Sequence, residues 1–256
     1  MLCACLPEDV ATAIDEVALE LLSAAGVDGP PVDALRVAQA RRMIVAVDAR
    51  QAGRARIVRS ARQQRVGRTA AILLRPDPRP ERRQWAIAHE LGEAAVGCLA
   101  ERLGSDPRDW APADRESLAN ALAGRLLVPT TWLERDGPRC AWDLPTLKKR
   151  FATCSHELLA RRMLDLASPL VVVSVFDQGR LTWRRSNAGG RPPGLMPLER
   201  SAWQRVHQEN RACVIRSTAR LQVWPVHEPQ WRREILRLEL TGDGETCDVA
   251  LLGELA

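Results

Sequence analysis

Apolar residues recur at Val10, Ala13, Ile14, Val17, Ala18, Leu21 and Leu22. That 3.6-residue period places one apolar stripe on a helix and predicts an amphipathic helix over 8–25. Gly26 closes it, Gly29-Pro30-Pro31 turns the chain, and Asp33 caps a second helix through Ala40. Short apolar runs at 43–47, 56–59 and 70–74 predict strands. The Pro-rich turn at 76–80 delivers the chain into a long helix over 81–103. Asp114 is expected to cap a further helix that stops at Pro129, followed by a helical turn at 130–134. Helices are also predicted over 145–151 and from an N-capping Ser155 to Leu166.

Beyond Ser168-Pro169 the pattern becomes strand-like. Runs at 170–176 and 180–184 flank Asp177-Gln178-Gly179 as a hairpin, and 198–210 reads as a helix. Strands are expected at 221–226, 235–240 and 247–252. The fold class is therefore α+β: a mostly helical unit with a small sheet over 8–167, then a small α/β unit over 168–256.

Composition narrows the classes. The chain has 256 residues, 46% hydrophobic and 27% charged, ordinary proportions for a globular protein. Its longest apolar run, at 170–176, is far short of the roughly 18 residues a membrane helix needs, so no membrane association is expected. The start, MLCACLPEDV, lacks a basic segment, and no signal peptide is expected. Seven cysteines without a paired spacing predict reduced thiols and a cytoplasmic protein. The formal charge of +5 invites a nucleic-acid partner. Yet every basic residue except Lys148 and Lys149 is arginine, as a compositional bias would produce. The stretch Arg50, Arg54, Arg56, Arg59, Arg62, Arg65 and Arg68 lacks the interleaved aromatics of single-strand binders. Direct nucleic-acid binding is not expected; docking of an acidic partner protein is compatible with this stretch.

The strongest chemical signal is Trp85-Ala86-Ile87-Ala88-His89-Glu90-Leu91-Gly92-Glu93. Residues at i and i+4 of a helix share one face, so His89 and Glu93 can address one ion. A glutamate at i+1, here Glu90, is placed as general base in helices of this kind. Glu116, on the next helix, supplies a third donor if the two helices pack antiparallel.

At these residues the sequence resembles the ImmA/IrrE family of metallopeptidases. The family pairs a His-Glu-x-x-His helix with a helix reading Glu-x-x-x-Asn and then Leu-Leu-x-Pro. Glu116, Asn120, Leu126, Leu127 and Pro129 match the second block in spacing, and Pro31-Val32-Asp33 matches an upstream motif. The resemblance covers about residues 8–167 and implies a zincin-like peptidase domain. It implies His89, Glu93 and Glu116 as metal ligands, zinc or manganese as cofactor, and Glu90 as the base that activates a metal-bound water. Glu93 stands where the family has its second histidine, giving a His-Glu-x-x-Glu variant. With two carboxylates the donors cancel the ion's charge and acidify its water less. Oxygen-rich ligation also tilts selectivity from zinc toward manganese.

By the same resemblance, the expected activity is a metallo-endopeptidase acting on a protein, the typical target being a helix-turn-helix transcriptional repressor. The alternative is a non-catalytic relative that binds and regulates such partners. A third reading takes 145–166 as a DNA-reading helix-turn-helix with Lys148, Lys149, Arg150, Arg161 and Arg162, and ranks below both. An extended substrate would pair along the strand at 70–74. The segment after 168 carries no catalytic spacing and is read as regulatory or docking.

Overall fold

The computed structural model of the chain describes residues 6–59, 70–217 and 219–240. The strand expected at 247–252 and Arg62, Arg65 and Arg68 lie outside the described residues. The architecture is α+β, mostly helical, with two separate sheets. The chain divides into two compact units, Met1–Trp142 with Thr146–Leu158, and Asp143–Pro145 with Leu159–Ala256.

The first unit opens with α1 (Pro7–Ala24), whose buried face carries Ala13, Ile14, Val17, Ala18, Leu21 and Leu22, the stripe that periodicity predicts. Asp33 caps α2 (Ala34–Ala40) by accepting from the Leu35 amide at 3.0 Å. Three strands follow: β1 (Met43–Val47), β2 (Ala55–Val58) and β3 (Ala70–Leu74). They form one sheet in the order β1-β3-β2, with β1 parallel and β2 antiparallel to β3.

Two helices then build the core under the sheet. The single long helix expected over 81–103 is divided at Ala95 into α3 (Pro80–Ala94) and α4 (Val96–Arg102). After the 3-10 turn Pro107–Asp109, α5 runs over Pro112–Leu127. Pro112, not Asp114, starts it: proline's fixed φ suits the first helical position, and Asp114 sits in the first turn near the positive helix end. The turn expected at 130–134 is longer, as α6 (Thr130–Arg139). The segment continues through α7 (Leu144–Arg150) and α8 (His156–Met163), with the Ser155 hydroxyl accepting from the Leu158 amide. Phe151, Leu158, Leu159, Met163 and Leu166 are all buried.

The helices α3 and α5 lie against each other so closely that no Cβ fits at Gly92. One placed there would lie 2.6 Å from the Ala119 carbonyl oxygen and 2.9 Å from its Cα. Facing pairs run His89 with Asn120, Gly92 with Ala119 and Glu93 with Glu116, an antiparallel order. On α5, Leu118, Ala119, Leu122, Ala123, Leu126 and Leu127 are buried.

Among its described residues, the second unit forms a five-stranded antiparallel sheet in the order β5-β4-β8-β7-β6, with the helix α9 (Pro197–Glu209) against it. Its strands are β4 (Val171–Asp177), β5 (Arg180–Ser186), β6 (Cys213–Arg216), β7 (Arg220–Pro225) and β8 (Arg233–Glu239). Sequence patterning misses β6, whose four residues Cys-Val-Ile-Arg are too few to show a period. Val206 and Ala202 of α9 pack on Val172, Leu221, Val223, Leu236 and Leu238. The four described cysteines, Cys98, Cys140, Cys154 and Cys213, are free thiols.

Candidate metal centre

Helix α3 turns its last two turns into the core. Ala86, Ile87, Ala88, Glu90, Leu91 and Gly92 are buried, while His89 and Glu93 emerge on the side facing α5. There they meet Glu116: one donor atom from each of His89, Glu93 and Glu116 lies within 4.8 Å of the others. The i, i+4 spacing and the antiparallel helix pair thus bring these three residues to one point. His89 keeps 19% of its side chain exposed and Glu116 60%, so the cluster opens to solvent.

Asn120, one turn beyond Glu116, fixes the orientation of both neighbours. Its amide nitrogen donates to Glu116 Oε1 at 2.9 Å, because a carboxylate can only accept. Its amide oxygen is then left facing His89 Nδ1 at 3.2 Å, which must donate. With Nδ1 engaged by Asn120, the other ring nitrogen, Nε2, faces Glu116 Oε2, 3.6 Å away. An imidazole held by an outer amide with its other nitrogen free is how histidine is prepared as a metal ligand.

Glu90 occupies a different environment. It is buried, with Ile57's backbone amide against its carboxylate. Burial pushes its carboxyl above the ordinary glutamate range. The neighbouring His89 opposes that shift, and the charges of Glu93 and Glu116 reinforce it. Glu90 lines a cleft of about 240 Å³ together with Arg54, Trp85, His89, Glu116 and Asn120. A carboxyl raised by burial in a cleft beside candidate ligands is placed to exchange a proton with a group bound there.

The sheet corrects one expectation. Strand β3 lies between β1 and β2, so both its edges are already paired and no peptide can add along 70–74. The Arg75 amide donates to the Arg54 carbonyl at 2.9 Å, which makes 54/75 a hydrogen-bonded pair of the antiparallel ladder. By alternation Ala55 and Ile57 point their backbone groups away from β3, toward the cleft that Ala55 lines. The cleft-side edge among the described residues is therefore β2, and Glu90 already takes up its Ile57 amide.

Sequence reading passed over a second cluster. His207, His227 and Glu234 of the second unit also bring three donor atoms within 4.8 Å. They are separated by 20 and 7 positions along the chain, with no short motif to mark them. The one available signal was that they are two of only four histidines, beside a glutamate at the start of an apolar strand. Both clusters consist of His and Glu side chains able to chelate a divalent ion.

Cations of the proposed DNA-reading segment are engaged inside the protein. Lys148 pairs with Glu81 at 3.0 Å, Arg150 with Asp136 at 3.0 Å and Arg162 with Asp165, while Arg161 stacks over the Trp183 ring. No helix of the described residues is long and apolar enough to cross a membrane.

No family model matches this chain, and no curated protein does. Among solved structures, the chain is similar to a Mycobacterium tuberculosis transcriptional regulator. That similarity has a TM-score of 0.59 at 15% identity, over 89% of this chain and 75% of the other. At that identity the likeness is one of fold.

Proposed function

We propose that this protein is a metal-binding regulator that acts by binding a partner protein, on an ImmA/IrrE-like scaffold. The observation that carries the reading is the convergence of His89, Glu93 and Glu116, with Asn120 orienting two of the three. The donor chemistry fits a divalent ion: one imidazole and two carboxylates, with manganese favoured over zinc by the oxygen-rich set. The partner of choice is a helix-turn-helix transcriptional repressor, as the family resemblance implies. The likeness in fold to a transcriptional regulator supports a place in gene control. The Arg54 side of the cleft adjoins a groove lined by Arg54, Arg75, Arg82 and Arg83 with one carboxylate, Asp77, paired to Arg82; its net positive charge suits an acidic segment of such a partner.

Metallo-endopeptidase activity is the second reading, and the position of Glu90 favours it. A bound divalent ion supplies Lewis acidity toward a peptide carbonyl. Glu90 would accept the proton of the attacking water and return it to the leaving amine, with Trp85 and the β2 edge flanking the peptide. Two features put this reading second. The carboxylate at Glu93 lowers the charge available to polarise the carbonyl, and Glu90 is tied to the Ile57 amide.

The test incubates the full chain, loaded with manganese or zinc, with a helix-turn-helix repressor and reads complex formation and partner mass together. The regulator reading expects an intact partner in a stable complex, formed equally well by Glu90→Gln and weakened by His89→Ala. Fragments that vanish with Glu90→Gln would overturn it in favour of the peptidase. Neither complex nor fragments would remove both.

A further inference from the structure

Three side chains of the second unit meet at a single oxygen. His207 Nδ1 lies 2.8 Å and His227 Nε2 2.6 Å from Glu234 Oε1, while the Trp203 indole donates to the other oxygen, Oε2, at 3.1 Å. The elements that hold them are regular. Trp203 and His207 sit one turn apart on α9 and so share its sheet-facing side. Pro225 of β7 pairs with Glu234 of β8, and the Val226 amide donates to the Arg233 carbonyl at 2.7 Å. His227 therefore follows in the loop that joins β7 to β8, beside Glu234. Phe176 stacks on Trp203 at 4.4 Å between centroids and fixes the indole that anchors the carboxylate. The two imidazole planes are close to perpendicular, at 76°, so their nitrogens converge from different directions.

The Glu234 side chain is completely buried, whereas His207 and His227 keep 26% and 14% of theirs exposed. A buried carboxylate must be compensated. The indole serves Oε2 and both imidazoles converge on Oε1, within the roughly four acceptor sites a carboxylate offers. With the facing protons displaced, the same groups make a three-ligand transition-metal set: two imidazoles, one carboxylate oxygen and an outer donor that orients the carboxylate.

We propose that His207, His227 and Glu234 bind one divalent transition ion of the zinc class, with Trp203 as a positioning residue. Two neutral imidazoles and one carboxylate leave the bound ion one positive charge, and nitrogen-rich ligation selects zinc, cobalt or nickel over manganese. Loading moves the proton of each imidazole to its other ring nitrogen. It also opens each nitrogen–oxygen separation to about 3.3 Å, as tetrahedral coordination requires. The partly exposed histidines give the ion its entry. Once bound, it clamps α9 to the β7–β8 hairpin, so zinc availability sets the stability of this unit. The proposal is independent of the cluster at His89.

The experiment uses the full chain carrying His89→Ala, stripped of metal by chelator dialysis and titrated with cobalt(II) while the visible d–d bands are read. One equivalent should bind, with intense low-coordinate bands that zinc abolishes and manganese leaves unchanged. Adding His227→Gln or His207→Gln should remove the bands while far-UV circular dichroism stays unaltered. Trp203→Phe should weaken zinc binding by about 10–100-fold without abolishing it. A folded His89→Ala protein that gives no bands, or bands that persist in both glutamine variants, would overturn the site. Because His89→Ala has already disabled the first cluster, failure there leaves this result readable.

Discussion

Asn120 shows how much of the site depends on one neutral side chain. It touches His89 Nδ1 and Glu116 Oε1 at once, so its removal frees both the tautomer and the carboxylate rotamer. Asn120→Ala should lower divalent-metal affinity at this cluster by about 10–100-fold with little loss of fold stability, as read by chelator competition alongside urea melts. Asp136 makes a comparable point about stability. Hydrogen bonds from Arg135, then burial acting in the opposite sense, then Arg150, hold this fully buried carboxylate below the ordinary aspartate range. A carboxyl whose folded value is lowered contributes stability above its unfolded value and loses it as pH falls through the folded one. Asp136→Asn should therefore cost about 1–3 kcal/mol at neutral pH. The gap from wild type should narrow from about pH 5 downward and close only below about pH 3.9, the unfolded value. Denaturant melts at several acidities check this; a gap unchanged across the acid range would contradict it. Cys154 is buried and its thiol is pushed up to about 12, so thiol reagents should modify exposed Cys98 first.

At the scale of elements, the α3–α5 pair joins fold to chemistry. Gly92 lies inside the motif that carries His89, Glu90 and Glu93, and its missing side chain lets Ala119 approach. Gly92→Ala must push two backbones apart, since no flexible side chain can give way. The expected result is a destabilisation of about 1–3 kcal/mol together with loss of metal stoichiometry. Thermal melts and elemental analysis on the same sample test the linkage; full metal content in a destabilised variant would break it. The positions of α1, α2, β1 and β3 were legible from periodicity and punctuation, because a 3.6-residue stripe, an Asp cap or a short apolar run is a local signal. The break at Ala95 and the central place of β3 were not. The order in which strands pair depends on contacts remote in sequence, and β2's role as the cleft-side edge follows from it.

For the whole molecule, the excess of arginine proves to be heavily used internally. Arg102 reaches Glu16 and Glu20, Arg184 grips the buried Glu199 through two hydrogen bonds of 2.8 and 2.9 Å, and Arg233 binds Asp177. With four of the five cations of the helix-turn-helix-like segment also engaged, binding to duplex DNA should not exceed the non-specific range of about 10⁻⁴–10⁻⁶ M at physiological salt. Fluorescence anisotropy with labelled duplex checks this, and saturable submicromolar binding would restore the DNA-reading alternative. Local patterning suffices for the α+β class, for the helix that bears His89, Glu90 and Glu93, and for Glu116 and Asn120 one turn apart on the next. Each of these is encoded within a single element's period. Packing between distant elements is what sets Asn120 against His89 and Glu116, buries Glu90 against the β2 edge, and brings His207, His227 and Glu234 together. These are encounters between residues 7 to 33 positions apart on different elements, and no local pattern of polar and apolar positions specifies which side chains they bring within reach.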